Sequence, residues 1–92
     1  MQDRQRLNFL IDKAASIYGS DGKLAGAMGT TRQTLSNWRH GYKEPSTDVQ
    51  ARLAEIAGID VGMTVAAAAI EKTGNEQAIK WLESQLAKIR KL

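Results

Sequence analysis

Apolar residues return every three or four positions along almost the whole chain, and glycines cut that pattern into short lengths. No segment alternates apolar and polar residues over the length of a strand. Such a chain folds as a set of short helices packed on one another, so the expected class is all-α. Leu7, Leu10, Ile11, Ala14, Ile17 and Tyr18 make one stripe, which predicts a helix over 3–18. The break at Gly19-Ser20-Asp21-Gly22 carries turn chemistry, with Asp21 or Ser20 as N-cap of a second helix over 23–28 that Gly29 ends. A third helix is expected over 32–39, closed by Gly41, and a fourth over 48–57, capped within Ser46-Thr47-Asp48. A fifth, rich in alanine, runs 60–72, and a sixth, after Gly74-Asn75, runs 76–91.

Composition narrows what such a fold can do. A chain of 92 residues is one small domain with a modest core. It has no cysteine and one histidine, His40, so disulfides, thiolate chemistry and a histidine-rich metal cluster are excluded. No paired carboxylates with a partner histidine and no glycine-rich phosphate loop appear, so neither enzyme activity nor a cofactor is expected. The longest uncharged apolar stretch, 61–70, is about half of what a membrane span needs, and no signal-peptide core follows the N-terminus. The expected setting is the cytoplasm, with no membrane partner and no small-molecule ligand.

The net charge of +3 is unevenly spread. Residues 23–43 hold Lys23, Arg32, Arg39 and Lys43 and no acid, while 44–76 sum to −4. An acid-free window of 21 residues in a chain that is 25% charged points to an acidic partner. Within that window lie a helix, a tight turn and a helix, spanning 21–40. Ala25 allows close approach between the two helices, and Gly29 suits a turn that needs positive φ. Leu35 and Trp38 share the buried face of the third helix with Leu24 and Met28 from the second. Its outer face is then Arg32, Gln33, Ser36 and Asn37, with Arg39 and His40 at the end. The first four are types that read base edges in a major groove; Arg39 and Lys43, at and beyond the helix end, suit phosphates. Gln33 has a second reading, as the partner of Thr30 in a capping box, unless Thr31 is the cap. Trp38 reads as core.

This stretch resembles the helix-turn-helix of the Xre-type family, the phage repressor and Cro class of regulators. The likeness rests on Ala25, Gly29, Thr30-Thr31, Arg32-Gln33, Leu35, Ser36-Asn37-Trp38, Gly41 and Pro45. It extends over a repressor-like five-helix domain, residues 1–72, leaving 73–92 as an added C-terminal helix. The resemblance implies a regulator of transcription that binds an inverted-repeat operator in duplex DNA as a homodimer on the bacterial nucleoid. In layout it is nearest to small phage and prophage regulators. It also implies phosphate contacts from Lys23, Thr31, Arg39, Tyr42 and Lys43. One departure is Asp21, where many relatives carry a neutral amide that holds a phosphate; Lys23 is the substitute in reach. Another is Gly26, a poor helix former inside a short helix.

The sixth helix carries a seam of Ile79, Leu82, Leu86 and Ile89, flanked by Ala78 and Trp81. Two readings stand: packing on its own domain, or pairing two chains. The expectation is pairing, because a five-helix module of this type is already closed. The alternative function for the whole chain is an antitoxin or protein-binding adaptor built on the same unit.

Overall fold

The protein is all-α. The structure, a computed structural model, describes residues 4–90, the last two in backbone only. In order, the helices are α1 (Gln5–Tyr18), α2 (Asp21–Met28), α3 (Arg32–His40), α4 (Thr47–Ala57), α5 (Val61–Thr73) and α6 (Glu76–Arg90). Expected helical positions Asp3 and Lys91 lie outside the described residues.

Short polar side chains set the starts. Ser20, Thr31 and Ser46 hydroxyls accept from the backbone N–H of Lys23, Thr34 and Val49 at 3.1, 3.1 and 3.2 Å. Asp60 and Asn75 do the same for Met63 and Ala78 at 2.7 and 2.9 Å. Each cap satisfies an N–H that the helix leaves without a partner and contributes about 1 kcal/mol. These caps correct one expected boundary and settle one choice between two readings. Ser20 caps α2, so α2 begins at Asp21, two residues before the expected start, and takes Gly22 into its first turn. Thr31 caps α3, so Gln33 is not part of a capping box with Thr30.

The core is built around α1. Leu7, Leu10, Ile11 and Ala14 pack with Leu24 and Ala25 of α2, Leu35 and Trp38 of α3, and Leu53 and Ala54 of α4. Val49, Ile56 and Ala57 pack around this cluster half-buried. The stripe on α1 runs past the core: Ile17 is 65% exposed and Tyr18 is exposed beside it. They occupy the last turn of α1, directly before the chain leaves the helix at Gly19.

Polar ties fasten the layers. Arg6 on α1 grips both carboxylate oxygens of Glu71 on α5 at 2.8 Å each and reaches Gln50 of α4 at 2.6 Å. Gln50, itself buried, donates to the Pro45 carbonyl at 3.2 Å. Through α5 the rest of the chain holds α6, whose Leu82 is only 2% exposed. Leu82 was expected at a chain-pairing surface. The fold makes it core instead, because burial within one chain removes it from contact with any other; burying such a side chain yields about 1.5–3 kcal/mol.

Candidate nucleic-acid interface

The α2–turn–α3 unit is held from behind. Leu24, Leu35 and Trp38 are buried, which fixes the face α3 turns inward. The turn at Gly29 has φ +71°, a left-handed conformation that disfavours a Cβ, and Thr30 N–H closes it on the Ala25 carbonyl at 2.9 Å. The far end of α3 is closed by Arg4, whose guanidinium donates to the Trp38 carbonyl and to Glu44 at 2.5 Å. A Cβ at Gly41 would meet that guanidinium at 3.2 Å, so glycine there serves the left-handed backbone and leaves room for Arg4.

The outward face of α3 is polar and carries no acid. Arg32 and Gln33 are exposed in its first turn; Ser36 and Asn37 stand half-buried one turn on. Gln33 Nε2 donates to Asn37 Oδ1 at 3.1 Å, which leaves the Gln33 oxygen and the Asn37 amine pointing away from their shared bond. The stem of Arg32 runs beside α2, with its Cδ 3.9 Å from where a Cβ on Gly22 would stand. The first turns of α2 and α3 are therefore neighbours, and a helix start is where backbone N–H groups lack intrahelical partners.

Sequence reasoning undervalued His40. Its Nδ1 meets the Ser36 carbonyl oxygen at 2.9 Å, and its ring stacks on Tyr42, with centroids 6.0 Å apart and planes 20° apart. Tyr42 is 78% exposed. The outer face of α3 thus continues through Ser36 and His40 onto Tyr42. The i, i+4 spacing of Ser36 and His40 was a visible signal; the Tyr42 stack depends on the chain reversing at Gly41.

The cations divide into two sets. Among the described residues no ion pair holds Lys23, Arg32 or Lys43, all exposed. Lys23 leans back toward Gly19, at the end of α1, its Nζ 4.0 Å from where a Cβ would sit. Thr31, expected to touch phosphate, is exposed at the start of α3 while it caps the helix. Arg39 was expected as a phosphate clamp but is engaged inside the protein. Its guanidinium binds both oxygens of Asp21 at 3.0 and 3.1 Å and Asp12 at 2.5 Å. Burial works against its charge, but hydrogen bonds and charge from Asp21 and Asp12 outweigh that and raise its pKa. A raised pKa adds stability that is lost only as pH climbs through the folded-state value, far above neutral, so Arg39 stays charged under ordinary conditions. Arg39 thus ties α3 to α1 and to the first turn of α2. Asp21, the departure noted in the sequence, is its main partner.

On α6, Ala78, Ile79 and Leu86 are half-buried and Trp81 is 56% exposed. The Ile89 side chain lies outside the described residues. The geometry defines a class: an all-helical chain that displays one acid-free helix face on a two-helix unit braced by its own core. Comparison with protein-family models, curated proteins and solved structures gives no match.

Proposed function

We propose that this chain is a sequence-specific double-stranded DNA-binding regulator, of the kind phages use as repressors, with α3 in the major groove. One observation carries the reading: the exposed face of α3 offers Arg32, Gln33, Ser36 and Asn37 with no carboxylate on the helix. Arg32 has the fork that matches a guanine edge. The Gln33–Asn37 pair keeps one acceptor and one donor outward, which matches an adenine edge. Thr31, Tyr42 and Lys43 adjoin α3 in the chain, Lys23 stands in the first turn of the neighbouring α2, and these four supply phosphate contacts. Arg39 has a different part here, positioning α3 rather than touching DNA.

One short recognition helix reads few base pairs, so two chains act together on an inverted repeat, with half-site centres about 10 bp apart or a multiple of that. Pairing falls to the exposed flank of α6 around Trp81, since Leu82 is committed to the core.

The test is selection of bound duplexes from a random library, followed by titration of the winner at several salt concentrations. Expected are a two-fold symmetric site and an affinity that falls steeply with salt, as neutralising roughly 5–8 phosphates per dimer requires. Recovery of no sequence preference, or an affinity indifferent to salt, overturns the reading and favours a protein partner.

A further inference from the structure

A cavity of about 650 Å³ lies away from the α3 face, between α1, the start of α5 and α6. We propose that it binds a neutral, apolar small molecule. The inference does not depend on the DNA reading.

The size is in the range of ligand sites, roughly 300–1,000 Å³. Phe9, Leu10, Ile59, Met63, Ala67 and Leu86 supply its walls. Phe9 is 52% exposed, an aromatic ring at the rim of the cavity with the Lys13 ammonium 5.8 Å from its centroid. Met63 brings a flexible thioether that adapts to the shape of an occupant.

The polar groups on the wall decide the chemistry of the occupant: most are held within the protein, and Asp60 keeps a negative charge that no cation pairs among the described residues. Arg6 is held by Glu71 and Gln50. Asp60 accepts from the Met63 N–H at 2.7 Å, and the Thr64 hydroxyl donates to the Asp60 carbonyl at 2.9 Å. Gln5 is also engaged within the protein. An anion would lose its water beside the Asp60 carboxylate, and a strongly polar molecule would find few groups among the described residues to replace the water it gave up. An apolar one loses only unfavourable hydration. Because Leu86 belongs to α6 and the other walls to α1 and the α4–α5 region, the occupant would fasten α6 to the rest of the molecule.

The experiment titrates methyl-labelled protein with 1-hexanol, 1-heptanol, 1-octanol and hexanoate, following the Met63 and Leu86 methyl resonances. Expected are saturable shifts, binding about 3–4-fold tighter for each added methylene, and hexanoate at least about tenfold weaker than 1-hexanol. Ala67→Phe, which fills the cavity from α5, abolishes saturation while the far-ultraviolet spectrum stays helical; Met63→Trp is the second filling variant. Shifts that never saturate, equal binding of alcohol and carboxylate, or undiminished binding by a folded filled variant overturn the proposal. So do methyl shifts that follow protein concentration without alcohol, which would mean that a second copy occupies the cavity. The charge and chain-length comparisons need no variant, so they decide the matter even if both substitutions unfold the chain.

Discussion

Arg32 and Arg39 are the same residue type on one short helix, seven positions apart, and the structure gives them opposite surroundings. Among the described residues Arg32 has no acid partner, and it is exposed; Arg39 faces three carboxylate oxygens from two other helices. Substitution therefore separates them. Arg32→Ala should leave the melting temperature nearly unchanged, weaken operator binding by about 1–3 kcal/mol and relax preference at one base pair. Lys43→Ala should weaken all duplexes alike and flatten the salt dependence. A library selection repeated on each variant distinguishes these outcomes. Arg39→Ala should instead lower stability by about 1–2 kcal/mol, a half-exposed network being worth less than a buried one. Arg39→Lys should recover only part of that, since an ammonium cannot bind both oxygens of Asp21 as a fork does. Urea melts of both variants without DNA are the measurement; an Arg39→Ala protein as stable as the parent would leave Arg39 available for phosphate after all.

At the scale of the element, the glycines of α2 test how far local geometry governs the two-helix unit. Gly26 lies inside the helix, exposed, with nothing within 4 Å of where its Cβ would stand. Gly26→Ala should therefore stabilise the protein by about 0.5–1 kcal/mol. Gly29 has equal room, yet its backbone is left-handed at φ +71°. Gly29→Ala should destabilise by about 1–2 kcal/mol, and Gly29→Asn by less. Thermal melts of the three variants give the signs directly. Two glycines three residues apart with the same open space should respond in opposite directions, and a common direction would contradict the turn geometry.

Across the whole molecule the question is which apolar surface remains for a second chain. Leu82 is enclosed and Trp81 is not. Trp81→Glu should give a folded chain that sediments as a monomer at micromolar concentration and binds an inverted repeat weakly. Leu82→Ala should cost about 2–5 kcal/mol of stability through the cavity it opens, whatever the association state. Sedimentation of the wild type and both variants, with melts alongside, tests this. A Trp81→Glu protein that still dimerises would move the pairing surface elsewhere.

Much of this architecture is readable from local signals. Six helices, the glycine ends of the first five and most of the caps follow from the 3.6-residue period and from side chains acting within four residues of themselves. The buried set Leu24, Leu35 and Trp38, and hence the outward set Arg32, Gln33, Ser36 and Asn37, follow from the same period, because one face of a helix dictates the other. Choices that depend on distant parts of the chain were not readable. Whether Ile17 is covered depends on what the fold brings to the end of α1, and whether Leu82 faces its own chain depends on how α5 places α6. Arg39 meets Asp12 and Asp21 across separations of 27 and 18 residues, and Arg6 meets Glu71 across 65. A charge in the sequence does not say which opposite charge the fold will bring to it. The acid-free window therefore held four cations as a string of letters and holds three available ones as a surface, since packing spends Arg39 on two aspartates from outside the window.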